Sequence, residues 1–373
     1  MNLLSKKRSI LEKYLPGFEG NLAKIPFQKM EQVGNPAIEL FRNFGGPGLL
    51  IPIEYGGKGI SALDAIYVQC AIGSLAPSLA IATTMHHFTA ITMIEMTTDE
   101  LGLQLLKSIA SQNLYLSSGF AEGRHNSSIL TPFIHARRCT NGIEINGSKK
   151  PCSLSSSMDF LTVSVMIPKF SRDTPELAIA VISSDSPGIE RRPFWSTSVL
   201  VGAESDEVVL KNVVVPEEYI SYLGEPGKLD KIQARGFLWF EMMICAAYLG
   251  IVSRLVEKVL KDVKGVPSER NLLAIEVESA MSALEGIACT LMSCSDIGES
   301  EVARTFFVRY GVQRCIERCS ILAAELLGGI AFITSSEVAY LIAASRALAF
   351  HPPSRLSASD ALDKYLLGNP LKL

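Results

Sequence analysis

The 373-residue chain lacks several features that mark large function classes. It has eight cysteines, at positions 70, 139, 152, 245, 289, 294, 315 and 319, but no Cys-x-x-Cys pair. Cys315 and Cys319 would share a helix face, yet no His or second Cys pair accompanies them. No metal site is expected, and the thiols read as buried groups in a reducing compartment. Charge of one sign is not concentrated anywhere. Thirty-five Lys and Arg stand against 38 Asp and Glu, interspersed, for a net charge of −3. That excludes a basic nucleic-acid face and a polybasic membrane anchor. No uninterrupted apolar run reaches the roughly 20 residues a bilayer requires. The N-terminal MNLLSKKRSILEKYLPGF has early Lys and Arg but no apolar stretch of signal-peptide length. A soluble cytoplasmic protein is therefore the expectation. No G-x-G-x-x-G follows a strand and no G-x-x-x-x-G-K-[ST] occurs, so a nucleotide would not be held in a Rossmann or P-loop manner.

What is present divides by period. Residues 1–115 are helical in pattern. LDAIYVQCAIGSLAPSLAIATTMHHFTAITMIEM has apolar residues three and four apart, with a break near Pro77. Residues 116–225 change to a period of two. Asn141-Gly142 lies between short alternating runs and signals a hairpin, and Asn146-Gly147 follows. FLTVSVMIP, LAIAVIS and DEVVLKNVVVP read as strands, predicting a small antiparallel barrel or sandwich. Residues 226–373 return to helices. Four long segments with short connections suit an up-down four-helix bundle.

The first of those segments poses a chemical question. GFLWFEMMICAAYLGIV, Gly236 to Val252, is apolar except for Glu241. A buried carboxylate is costly unless it is paired, protonated or used in chemistry. Pairing with an Arg such as Arg254 or Arg346, or an N-cap role beside Gly236, is one outcome. A role as general base is the other.

Several motifs in order resemble the acyl-CoA dehydrogenase flavoproteins. GLLIPIEYGGKGIS, Gly48 to Ser61, is similar to their "GL…P.EYGG.G.S" signature. SSGFAEGRHNSSILTP resembles their "TEPGAGSD" loop, and INGSKKPCS their "NGxKxWIT" strand. GAESDEVVLKNVVVPEEYI resembles the end of their β domain, and ELLGGIAF their "QxxGGxGF" element. The resemblance spans nearly the whole chain. It implies an acyl-CoA dehydrogenase fold: an N-terminal α-helical domain (1–115), a central antiparallel β-barrel (116–225) and a C-terminal four-helix bundle (226–373). It also implies FAD between the β domain and the bundle, and a homo-oligomer, tetramer or dimer, whose neighbours complete the FAD sites.

The same resemblance assigns residues. Most members carry a catalytic acid in a loop that falls, without gaps, on His351-Pro352-Pro353-Ser354, where Pro352 stands in its place. Isovaleryl-type members carry the base on the helix where FEMMICAA lies, and Glu241 falls on it. Glu241 is thus the expected base. Phe120, Ala121, Ser127, Pro151, Ser153, Glu325, Gly328, Gly329 and Ser354 fall on cofactor-binding positions. The Arg of an "RxxFG" element that meets a neighbour's FAD has only Lys264 or Arg270 to offer. Ser127 also falls near the substrate's thioester tail. Trp239, Met242, Tyr248 and His351 are expected at the substrate, Met242 replacing an Arg.

The implied activity is that of an FAD-dependent dehydrogenase or oxidase of a small acyl or aminoacyl thioester. The thioester would be held on CoA or a carrier protein, with an electron-transfer flavoprotein or oxygen as acceptor. Prolyl-carrier-protein oxidation of secondary metabolism is one specific form, suggested by the absence of a backbone N–H at Pro352. A flavin monooxygenase or nitroalkane-type oxidase is a second reading, against which an isovaleryl-type Glu argues. A non-catalytic scaffold is the third.

Overall fold

Local capping sets the helix starts of this computed structural model, which describes residues 3–97, 99–124, 132–134, 136–168, 175–224 and 231–372. The N-terminal region holds α1 (Ser5–Tyr14), the short α2 (Phe18–Leu22) and α3 (Phe27–Met30), and α4 (Pro36–Asn43). Three longer helices follow: α5 (Ala62–Leu75), α6 (Pro77–Met96) and α7 (Glu100–Gln112). Asn35 caps α4 by accepting from the Ala37 N–H, with Pro36 at the first helical position. Ser61 and Asp99 cap α5 and α7 in the same way. The break expected near Pro77 is the α5–α6 junction.

Alternating residues then build eight strands among the described residues: β1 (Leu116–Gly119), β2 (Ala136–Cys139), β3 (Gly142–Cys152), β4 (Phe160–Ile167), β5 (Glu176–Ser183), β6 (Ile189–Arg192), β7 (Asp206–Val215) and β8 (Ile220–Gly224). They pair as two four-stranded sheets, ordered β1-β4-β5-β8 and β2-β3-β7-β6. One shared core, including Ile143, Ile145, Val163, Ala180, Val208 and Val213, lies between them. The expected antiparallel barrel is thus two open sheets, and β1 runs parallel to β4. β4 is buried on both faces because helices cover the outer side of its sheet. Ala90, Met93, Ile109 and Leu116 form that outer layer, with Phe160 and Val181 packed on it. Asn141-Gly142 closes the β2–β3 hairpin, whereas Asn146-Gly147 marks a bulge where β3 slips against β7.

The C-terminal region contains α8 (Lys231–Lys261), α9 (Pro267–Ser293), α10 (Glu299–Thr334), α11 (Ser336–Ser345) and α12 (Ser359–Leu366). α8 packs against α9, α10 and α11, as a bundle requires, but also against α5 and α6. It is therefore the centre of one continuous helical core that joins both ends of the chain. This explains an apolar surface all round the helix. By length and composition α8 could cross a bilayer, yet its apolar window is wholly buried in the fold. Two glycines allow the α5–α8 crossing. A Cβ on Gly73 would strike the carbonyl oxygen of Ala247, and one on Gly250 that of Cys70.

Candidate active site

Where the β sheets meet α6, α8 and the segment after α11, the chain lines an open cavity of about 920 Å³. Three walls define it. The β wall comprises Ser118 of β1 and Phe120 to Arg124 after it, then Lys150, Pro151 and Ser153, with Trp195, Leu200 and Ser205. Three- and four-residue spacing on α6 presents Ile81, Met85, Phe88 and Thr92. The same spacing on α8 presents Ile232, Gln233, Gly236, Phe237 and Phe240. Phe350, His351, Pro352, Ser354 and Ser357 close the third side. Most of the wall is apolar. Phe88 packs on Phe120 and Phe240, with ring centroids 5.6 and 5.5 Å apart, forming an aromatic end.

Glu241 is not on this wall. Successive residues of a helix differ by about 100° around its axis, so Phe240 faces the cavity and Glu241 faces α10. There its Oε2 lies 3.0 Å from Nε of Arg309, and both side chains are only 1% exposed. The pair is ionic by distance, but Nε does not aim its hydrogen at the carboxylate. Neither carboxylate oxygen receives a hydrogen bond among the described residues. Burial pushes the Glu241 pKa up to about 7, and the Arg309 charge pulls the other way. The expected base therefore sits beside the cavity in an ion pair, and its partner is neither Arg254 nor Arg346. Those two arginines pair instead with Glu257 and Glu337, and with Glu317.

Arg309 spends its remaining donors on the third wall. Its Nη2 donates to the carbonyls of His351 (2.6 Å) and Leu348 (3.3 Å), and Nη1 donates to that of Pro353. Tyr310 Oη adds a bond to the Pro353 carbonyl at 3.0 Å. The His351 ring meets Tyr248 Oη through Nε2 at 2.8 Å. Burial, reinforced by the nearby Arg309 charge, pushes this imidazole down to about 3. It is uncharged near neutral pH.

A second buried ion pair lies on the β wall. Lys149 Nζ donates to Glu122 Oε1 (2.8 Å) and to Ser164 (3.2 Å). The Glu122 carboxylate also accepts from the N–H groups of Phe133 and Ile134. Burial alone would raise the Glu122 pKa, but Lys149 and these backbone donors outweigh it and hold it low. Glu122 is the one carboxylate on the cavity wall among the described residues, and it is committed to Lys149.

The structure gathers part of the expected set. Phe120, Ala121, Pro151, Ser153, Ser354 and His351 line the cavity. Ser127 lies outside the described residues. Trp239 and Met242 are buried in the helical core, away from the wall, because neither shares the helix face of Gly236 and Phe240. Tyr248 reaches the site only through His351. Glu325, Gly328 and Gly329 are not on the wall. They lie on α10 where Gly328, at φ 82° and ψ 166°, breaks the helix, and Glu325 and Gly329 are exposed there. Arg309, Lys149 with Glu122, and Phe88 were not singled out as site residues, whereas Phe240, expected with Trp239 to crowd a small acyl pocket, does reach the wall. A signal for Arg309 existed: it shares a buried stripe with Val302, Phe306, Val312 and Ile316.

The wall suits a flavin. It is large enough, it offers flat apolar surfaces at Pro151 and Trp195, and it carries hydroxyls at Ser118, Ser153 and Ser205. Arg124 and Lys150 supply positive charge to the same wall. Among the described residues no cluster of His, Cys, Asp and Glu could hold a metal ion.

Comparison with known proteins adds the following. No family model matches the chain. The chain is 44% identical over 381 residues to isobutylamine N-hydroxylase of Streptomyces viridifaciens, covering 100% of both. It is 24% identical over 302 residues to an L-prolyl-[peptidyl-carrier protein] dehydrogenase of Pseudomonas fluorescens, covering 76% of this chain and 77% of that one. A shorter match, 22% over 227 residues, is to mitochondrial isovaleryl-CoA dehydrogenase of Solanum tuberosum, covering 61% and 54%. In fold it resembles KijD3, solved in complex with FMN and a dTDP-linked amino sugar. The TM-score is 0.84, with 17% identity over 98% of this chain and 94% of that one.

Proposed function

The chain belongs to the acyl-CoA dehydrogenase superfamily of flavoenzymes, and from that premise we propose that it is a flavin-dependent oxygenase that N-hydroxylates a small aliphatic primary amine. The observation that carries this reading is the end-to-end 44% identity with isobutylamine N-hydroxylase. The site's chemistry supports it. Abstraction of an α-proton from a thioester needs an unpaired base at the substrate. Here the 351–354 loop has no acid, Glu241 is sealed against Arg309, and Glu122 is held by Lys149. The expectation of a dehydrogenase rested on Glu241, and so did the argument against a monooxygenase.

Phe120, Ala121, Pro151, Ser153 and Ser354 would hold the flavin, FAD being the expected form, with Lys150 and Arg124 near its phosphate. Bound and reduced, the flavin supplies two electrons to O₂, so that one oxygen atom joins the amine nitrogen and the other leaves as water. The chain must keep the amine unprotonated, because the nitrogen lone pair forms the N–O bond. Its means is desolvation: Phe88, Phe120, Phe240 and Met85 offer an apolar end that disfavours an ammonium. No free carboxylate on the wall would stabilise that ammonium instead. Neutral His351 lines the same space and adds no charge. Exposed Ile330, Phe332 and Ile333 beside the α10 break fit a homo-oligomer in which Gly328 and Gly329 approach a neighbour's flavin.

The test supplies reduced flavin, ¹⁸O₂ and isobutylamine, and follows the hydroxylamine by mass. One ¹⁸O in the product supports the reading. Anaerobic bleaching of bound flavin by an acyl-CoA or a prolyl-loaded carrier protein, without amine oxidation, would replace it with thioester dehydrogenation. The nucleotide released on denaturation identifies FAD or FMN.

A further inference from the structure

We infer that Glu241 and Arg309 form a clasp that positions the 348–354 loop, so that Glu241 acts on the site through Arg309 and the loop and not on the substrate itself. The inference rests on the reading of the cavity as the flavin and substrate site, whichever substrate occupies it.

Three observations converge. First, Arg309 is the hub of the loop: its guanidinium serves the carbonyls of Leu348, His351 and Pro353, and no other side chain among the described residues reaches three of them. The loop is poor in backbone donors, since Pro352 and Pro353 have no N–H. The His351 N–H bonds the Leu348 carbonyl at 3.2 Å, but the His351 and Pro353 carbonyls turn to Arg309. Second, Glu241 is the only acid in ion-pair distance of Arg309 among the described residues. A guanidinium 1% exposed needs a counter-charge, since a lone buried cation is strongly disfavoured. Third, the loop delivers His351, Pro352 and Ser354 to the cavity, and Tyr248, about two helical turns after Glu241 on α8, pins the His351 ring. The clasp thus ties α8, α10 and the loop together at one point. Arg309 and Glu241 are positioning residues, and the groups the substrate meets are those of the loop.

Planar geometry explains why the hub is Arg. Three nitrogens in a rigid fork reach carbonyls on one side and a carboxylate on the other, which a Lys ammonium on a flexible stem would not reproduce.

The test uses flavin-loaded protein and three variants: Glu241→Gln, Arg309→Met and the double variant. Hydrogen exchange is followed in the peptide covering residues 346–358, and substrate half-saturation is measured apart from saturated turnover. Both single variants are expected to speed exchange in that peptide by about 10-fold and raise half-saturation about 10-fold, while saturated turnover stays within about threefold. The double variant is expected to match Arg309→Met rather than the product of the two effects, since both changes break one clasp. A Glu241→Gln protein that loses saturated turnover by about 100-fold with unchanged exchange overturns the inference and restores Glu241 as a base. Unchanged exchange in every variant overturns it as well. If Arg309→Met does not fold, Glu241→Gln and the double variant, which leaves no buried charge, decide the matter. If the wild-type protein oxidises no amine, the proposed function fails, yet the exchange arm still judges the clasp.

Discussion

Two buried carboxylate–cation pairs flank the cavity, and they differ in how far each is satisfied. Glu122 on the β wall accepts from Lys149 and from two backbone N–H groups, and its pKa is held low. Glu241 on the helical side has one ionic neighbour and no hydrogen bond among the described residues, and its pKa rises to about 7. The amino acids are nearly the same, but the surroundings differ. The irregular segment before β2 offers free N–H groups to a carboxylate, whereas the middle of a helix has already used its own. The β pair is therefore a fixed brace. The helical pair is a less satisfied contact whose value lies in what Arg309 holds.

The largest effect expected from this contrast is on stability. Glu122→Ala leaves Lys149 buried without a counter-charge and two backbone donors unpaired, and should cost about 4 kcal/mol in chemical denaturation. The contrast breaks if Glu241→Gln proves the more damaging of the two.

A second effect lies in the sign of the pH dependence. Glu241 has a folded pKa of about 7, above its unfolded value, so its folded form binds more protons between pH 4.5 and 7. Its contribution to stability is greatest at the acid end and is lost as pH rises through that window, by up to about 3 kcal/mol. Glu122 is depressed, so its contribution is present above its unfolded pKa and is lost as pH falls. The stability difference between Glu241→Gln and wild type should therefore move in the variant's favour from pH 5 to 8. Glu122→Gln should show its penalty above pH 5 and lose it on acidification. Thermal unfolding across that range reads both slopes, and parallel slopes would erase the distinction.

Glu31 supplies a control outside the cavity. It is buried against Ser78 and Tyr340 with no cation beside it among the described residues, and burial raises it to about 7. Glu31→Gln should flatten the pH profile in the same sense as Glu241→Gln and leave exchange in residues 346–358 unchanged. A shift in that segment would mean the loop responds to general destabilisation.

The smallest expected effect concerns the aromatic end. Phe240→Ala should open space beside Phe88 and shift preference toward longer amines by about 10-fold, with little change in the pH profile. Competition between isobutylamine and a linear six-carbon amine measures it.

Much of this was legible in the chain. Period changes marked the helical, strand and helical regions, and Asn141-Gly142 marked a real hairpin. The ordered motifs placed Phe120, Ala121, Pro151, Ser153, Ser354 and His351, all of which reach one cavity. The misplacements have a common cause. Trp239, Met242 and Glu241 neighbour the cavity-facing Phe240 in sequence, but each step along a helix turns the side chain by about 100°. An apolar helix buried on every side carries no periodic sign of which face meets the cavity.

The sequence by itself determined the secondary structure, the order of the three regions, the family and the presence of a costly carboxylate in a buried helix. Those follow from local periodicity, capping and motif spacing, which are properties of neighbouring residues. Only the tertiary structure decided what that carboxylate does. Glu241 and Arg309 are 68 positions apart, and no local pattern couples them. Their pairing exists because α8 packs against α10 at that depth, and because a proline-rich loop short of backbone donors turns its carbonyls to the same guanidinium.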